Sequence, residues 1–110
     1  MAVGIDIVFI PRIKDESLFA HGILSTNELK IYEKRNDKKV FLAGRFAAKE
    51  AFFKARKTGI DQSLKNVEVL YDDNNAPYIL YKENKYEVSI SHDGDYAIAI
   101  VILWINTSLD

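Results

Sequence analysis

Residues 2–10 are almost continuously apolar and rich in valine and isoleucine, and the run ends at Pro11. That pattern predicts a buried strand. Residues 12–24 leave room for a short helix. Ser25-Thr26-Asn27-Glu28 then forms a capping box, with the serine capping the helix and the glutamate reaching back. A helix should follow to about Lys34. Asn36-Asp37 interrupts it and can cap the next. Residues 38–58 carry the most regular helical pattern in the chain. Phe41, Leu42, Phe46, Phe52 and Phe53 supply its apolar faces, and Ala43, Ala47, Ala48, Ala51 and Ala55 supply propensity and close packing. Gly59 suits the position just past the helix end. Beyond it the period changes to two. Residues 67–71, 78–82, 86–91 and 96–105 read as strands, separated by turn chemistry at Asp72-Asp73-Asn74-Asn75 and His92-Asp93-Gly94-Asp95. A strand, then helices, then an antiparallel meander is an α+β domain.

The length of 110 residues suits a single domain spanning 1–110. A core of that size is modest and gains stability by oligomerising. Fifteen basic residues against sixteen acidic ones leave no positive field to attract nucleic acid, so any anion binding must be local. The chain has no cysteine, which excludes disulfides and thiolate chemistry. The N-terminal run lacks a basic start and is too short for a secretory signal. The apolar run at 96–105 is about half the ~20 residues of a membrane helix. The expectation is a soluble, cytoplasmic protein.

Two features carry candidate chemistry. Asp6 interrupts the apolar run Val3-Gly4-Ile5-Asp6-Ile7-Val8. A buried carboxylate without a partner is costly, so Asp6 must be paired, hydrogen-bonded, protonated, metal-bound or at an exposed edge. In the long helix, Arg45 and Lys49 are four residues apart and share a face, as do Glu50 and Lys54. These charges form either a solvated stripe or, lying among alanines, a surface where a ligand comes close. Arginine and lysine would then face phosphate, and glutamate a hard cation. Asp6 with Glu50 would meet magnesium's need for one or two carboxylates. Ser91-His92-Asp93 is not a catalytic triad, because neighbours on an extended chain point to opposite faces. His21 has no companion at zinc-ligand spacing.

Three segments together resemble the holo-acyl-carrier-protein synthase family, the small phosphopantetheinyl transferases. They are Gly4-Ile5-Asp6-Ile7-Val8 with Arg12-Ile13; Phe41 through Phe52, with Lys54-Ala55 and Thr58-Gly59-Ile60; and Val88-Ser89-Ile90-Ser91-His92 with Tyr96-Ala97-Ile98-Ala99. Asn75-Ala76-Pro77 before a strand matches as well. The resemblance implies transfer of the phosphopantetheine arm of coenzyme A to a serine of acyl carrier protein, with release of adenosine 3′,5′-bisphosphate. It implies magnesium, and a homotrimer with active sites between subunits, each chain matching half of the two-repeat transferases. Residue by residue, it makes Asp6 and Glu50 the metal carboxylates and Lys54 the lysine beside the transferring phosphate. It places Arg45, Lys49, Ser91 and His92 at the nucleotide and its phosphates. Gly59, Ile60 and Pro77 would line the coenzyme site, and Arg12 and Lys14 would begin the carrier-docking element.

The chain departs from the family pattern at three places. Phe9 replaces a common acidic residue. Arg56-Lys57 replaces an apolar-glycine pair and adds charge near the helix end. Residues 12–24 form a shorter, less basic docking stretch containing Asp15 and Glu16. The competing readings are a non-catalytic module that binds coenzyme A or carrier protein, and a generic α+β interaction or RNA-binding domain. The latter lacks a basic excess and an aromatic-studded strand.

Overall fold

The computed structural model describes residues 1–104. Strand β1 (Ala2–Phe9) leads through a 3-10 turn at Ile10–Arg12 into helix α1 (Glu16–Ile23). Helices α2 (Thr26–Glu33) and α3 (Lys38–Arg56) follow, then a second 3-10 turn at Leu64–Asn66. Strands β2 (Glu68–Tyr71), β3 (Pro77–Tyr81), β4 (Asn84–Asp93) and β5 (Tyr96–Leu103) complete the chain. They form one antiparallel sheet in the order β1-β5-β4-β3-β2. The α+β expectation holds, and so does the meander.

Local chemistry explains most element boundaries. Asp15 caps α1 by accepting from the Leu18 N–H, and Ser25 and Glu28 close the predicted capping box at α2. The long helix ends earlier than expected. Lys57, not Gly59, takes the left-handed conformation at its end, with φ of 62°, and its N–H bonds back to Phe53 and Lys54. Gly59 is left-handed too, but lies in the loop beyond. His92 and Asp93, expected in a turn, belong to β4; the reversal itself falls on Gly94, with φ of 56°. Strand β5 ends at Leu103, and Ile105 lies outside the described residues.

α3 lies across one face of the sheet, against β1 and β5. Residues facing it alternate along both strands: Ala2, Gly4, Asp6 and Val8 on β1 share a side with Ala97, Ala99 and Val101 on β5. Small residues let the layers approach closely. A Cβ added to Gly4 would fall 1.9 Å from the Ala51 carbonyl oxygen. The core proper is built from Ala47, Ala48, Ala51, Phe52 and Phe53 of α3 over Val69, Ile79, Ala99 and Val101. The other face of β1 and β5 is bare. Val3, Ile5, Ile7, Phe9, Tyr96, Ile98 and Ile100 are all substantially exposed, with Ile5 opposite Ile100 and Ile7 opposite Ile98. The first strand was expected to be buried; within one chain only half of it is.

Candidate functional site

Asp6 points from β1 toward α3, where Glu50 and Lys54 sit one helical turn apart. Lys54 Nζ donates to Asp6 Oδ1 at 3.0 Å and to the Ile5 carbonyl at 3.1 Å. The Asp6 side chain is only 17% exposed, whereas Lys54 reaches solvent. Burial pushes the Glu50 carboxyl above its ordinary range. The Asp6 charge pushes it in the same direction, and Lys54 opposes both. A half-buried glutamate beside an aspartate, with a lysine bonded to that aspartate, has the character of a cation site. The donors are hard oxygens. Among the described residues no group of three or more His, Cys, Asp or Glu side chains comes together, so a zinc-type cage is absent there. Two carboxylates fit magnesium, which completes its shell with water and substrate phosphate.

Arg45 occupies a different face of α3. Its guanidinium lies 4.1 Å from the Phe41 ring centroid and 5.0 Å from that of Tyr71. It is 5% exposed, yet Nε and Nη2 have no hydrogen-bond partner among the described residues. Burial pulls its pKa below the ordinary arginine value, and Tyr71 partly offsets that. Arg35 lies against the same Phe41 ring at 5.1 Å and is bonded through Nε and Nη2 to Asp37 at 2.7 and 2.8 Å. That pairing holds Asp37 below the usual carboxylate range, and the nearby His92 adds to the effect. Nε and Nη2 of Arg45 are themselves buried, so an anion beside Arg35 and His92 reaches them only if the Phe41 and Tyr71 rings move aside.

The remaining predicted residues separate. His92 opposes Ala97 and so shares the helix-covered side of the sheet. Ser91 opposes Ile98 on the bare side, where it lines a 180 Å³ depression with Ile5, Ser89 and Ile100. Gly59 and the exposed Ile60 lie in the loop beyond α3, and Pro77 opens β3, separated from β1 by β4 and β5. Lys49 lies apart from these residues. It was expected at the nucleotide, but its side chain is wholly inaccessible and its ammonium is bonded to Glu28 and to two backbone carbonyls. No surface ligand reaches it in this conformation. Arg56 is also occupied: it lies among the Phe52, Phe53 and Tyr81 rings and pairs loosely with Asp61.

Sequence reasoning missed a groove of 540 Å³ beside α1. Arg12, Ile13, Lys14, Leu18, Phe19 and Phe46 contribute to its walls. Val8 also lines it, two residues along the same face of β1 from Asp6, and Phe46 lies one turn of α3 before Glu50. Arg12 and Lys14, which the family resemblance makes the start of the docking element, line it, and the apolar Leu18, Phe19 and Ile23 supply the rest of the wall.

Residues 2–101 match the 4'-phosphopantetheinyl transferase superfamily. The chain belongs to that superfamily. Among relatives of this transferase chain, the holo-[acyl-carrier-protein] synthase of Wolbachia pipientis wMel is 36% identical, over 97% of this chain and 96% of its own length. The Enterococcus faecalis protein of the same name is 43% identical, over 92% and 94%. A crystal structure of a holo-(acyl-carrier-protein) synthase from Bacillus anthracis, in complex with CoA (3',5'-ADP), superimposes with a TM-score of 0.81 at 39% identity. It covers 91% of this chain and 92% of that one. Asp6, Glu50 and Lys54 of the phosphopantetheinyl transferase chain thus lie within the matched region, as do Arg45 and His92.

Proposed function

We propose that the protein transfers the 4'-phosphopantetheine group of coenzyme A to a serine of apo acyl carrier protein in the cytoplasm, yielding the holo carrier and adenosine 3',5'-bisphosphate. The observation that carries this reading is the convergence of Asp6, Glu50 and Lys54 at one strand–helix contact, in a chain of this superfamily.

In the reaction the serine oxygen attacks the phosphorus that bears the pantetheine arm. A new P–O bond forms, and the bond to the adenosine-side phosphate breaks. Magnesium held by Asp6 and Glu50 would neutralise the charge that develops on the pyrophosphate oxygens. The serine proton would pass to Glu50, the carboxylate that α3 brings to the same place. Lys54 brings a cation to the same place and stabilises the departing phosphate. Arg45 would bond a phosphate on the adenosine half of the coenzyme once the rings that bury its guanidinium move aside, since two of its donors have no other partner among the described residues. Arg12 and Lys14, on the rim of the α1 groove, offer positive charge to an acidic carrier.

The proposed assembly is a homotrimer with active sites between subunits. Arg45 lies on a different face of α3 from Glu50, and the bare isoleucine face of the sheet is available for burial against another copy. Incubation with magnesium, coenzyme A and an apo carrier should convert the carrier to its heavier holo form. At coenzyme A well below the KM of the arginine variant, mixing two impaired variants, Glu50→Gln and Arg45→Ala, should restore up to about a quarter of wild-type activity, because a shared site needs one intact contribution from each chain. No rescue would exclude shared sites. Binding of coenzyme A without any transfer would select a non-catalytic module instead.

A further inference from the structure

Lys49 and Glu28 are each 0% exposed and form an ion pair at 2.6 Å in the interior. All three ammonium protons are used: on Glu28 Oε1, on the Ile23 carbonyl at 2.6 Å and on the Leu64 carbonyl at 3.0 Å. The carboxylate is used as fully. Its Oε1 also accepts from the Ser25 N–H at 3.0 Å, and its Oε2 accepts from the Val69 N–H at 2.9 Å. One node therefore ties together the end of α1, the start of α2, the Leu64–Asn66 turn, β2 and the middle of α3.

Its position in the fold gives this node a role. Ile23 is the last residue of α1, so its carbonyl is among those that a helix leaves without an internal partner. Lys49 caps it, and a cation at a helix C-terminus is favourable. The other end of α1 is held by Tyr32, whose hydroxyl donates to Glu16 Oε1 at 2.6 Å. On α3, Lys49 adjoins Glu50 and stands between Arg45 and Phe53 on the helix. A buried ion pair is a poor source of net stability, since apolar residues of similar volume often do as well or better. What it supplies is direction: Glu28 and the Leu64 carbonyl fix where the ammonium lies, and the Ile23 carbonyl fixes the end of α1 on it.

We infer that Lys49 is a positioning residue: through Glu28 and the Ile23 carbonyl it locks the groove-forming helix α1, and with it the carrier, in register with Glu50 on α3. The inference rests on the transfer reaction proposed above. It replaces the expectation that Lys49 touches the coenzyme. α1 supplies Leu18, Phe19, Gly22 and Ile23 to the groove wall, so a shift of α1 moves the carrier's seat relative to the carboxylate pair. Arg45, one turn from Lys49 on the same face, and Lys54 both belong to α3 itself, so a shift of α1 leaves the coenzyme contacts proposed for them in place.

The test compares Lys49→Met, which leaves Glu28 buried and unpaired, with Glu28→Met/Lys49→Met, which removes both charges and keeps an apolar core. Melting curves establish which variants are folded, and steady-state kinetics follow at a temperature below both transitions. The folded double variant should raise the KM for carrier about tenfold and leave the KM for coenzyme A within about twofold. An equal rise in both constants would make Lys49 a coenzyme contact or a general stability residue. No change in either would make the node a simple core ion pair. Either result overturns the inference. Amide hydrogen exchange on the wild-type protein gives a measurement independent of the variants. The amides from Ala20 to Leu24 should be protected as strongly as those flanking Lys49 in α3, and exchange about 100-fold faster would show that α1 is not locked. If wild-type protein transfers nothing to any carrier, the proposed function fails, while the exchange measurement still decides whether the lock exists.

Discussion

Replacing Gly4 by alanine tests the contact that sets Asp6 against Glu50. The added Cβ would lie 1.9 Å from the Ala51 carbonyl oxygen, 2.6 Å from the Ala55 nitrogen and 2.9 Å from the Ala51 carbonyl carbon. All three are backbone atoms of α3, so no flexible side chain can move aside. Reaching ordinary contact requires β1 and α3 to separate by about 1.5 Å, a change that belongs at the upper end of overpacking costs, near 3 kcal/mol. For a domain of this size that lowers Tm by about 12–24 °C. Asp6 lies two residues further along the same face of β1, so the separation also pulls it from Glu50 and Lys54. A misplacement of about 1 Å is enough for a loss near 100-fold in kcat/KM. Thermal denaturation and the carrier-modification rate measure the two effects. Gly44→Ala is the control. There the Cβ would meet only the Ile90 Cγ2 at 3.0 Å, the tip of a side chain, and alanine gains about 1 kcal/mol of helix propensity. It should change Tm by a few degrees at most and leave activity within about twofold. If Gly4→Ala matched this control in both measurements, the close approach of β1 to α3 would not be what assembles the site.

Further predictions concern charge. Glu50 has its folded-state pKa raised, so the fold binds that proton more tightly than the unfolded chain does. Its contribution is therefore a loss of metal-free stability as pH rises from its ordinary value of 4.5 through the raised one. Glu50→Gln should remove that dependence and melt above the wild type at neutral pH without magnesium, while losing activity. A lower neutral-pH Tm for the variant would contradict this, and added magnesium should narrow the gap by binding only the wild type. Arg45→Met removes two buried donors that lack partners among the described residues. It should cost little stability yet raise the KM for coenzyme A about tenfold or more, read by steady-state kinetics.

Local signals in the sequence were read well. Ser25 and Glu28 announced a cap, turn residues marked the hairpins, and an aspartate in an apolar strand marked the place where Lys54 of α3 pairs with β1. The spacing of Glu50 and Lys54 placed both on the face that meets Asp6. What depended on distant partners was not legible. Lys49 looked like part of a surface stripe because nothing local shows that Glu28, read only as a capping residue, folds over it. The bare sheet face was hidden because β1 and β5 are apolar on both sides, which erases the period-two signal of a half-exposed strand. The end of α3 was misplaced because Lys57, a residue that rarely adopts positive φ, takes the left-handed position before the first available glycine.

The most direct test of the central claim is the intact mass of the native carrier after incubation with coenzyme A and magnesium, beside the release of adenosine 3',5'-bisphosphate. With wild-type protein the carrier should gain one phosphopantetheine for each bisphosphate released, and with Asp6→Asn or Glu50→Gln it should gain none. A carrier of unchanged mass, or full modification by both carboxylate variants, would contradict the assignment of Asp6 and Glu50 as the heart of a phosphopantetheinyl transferase.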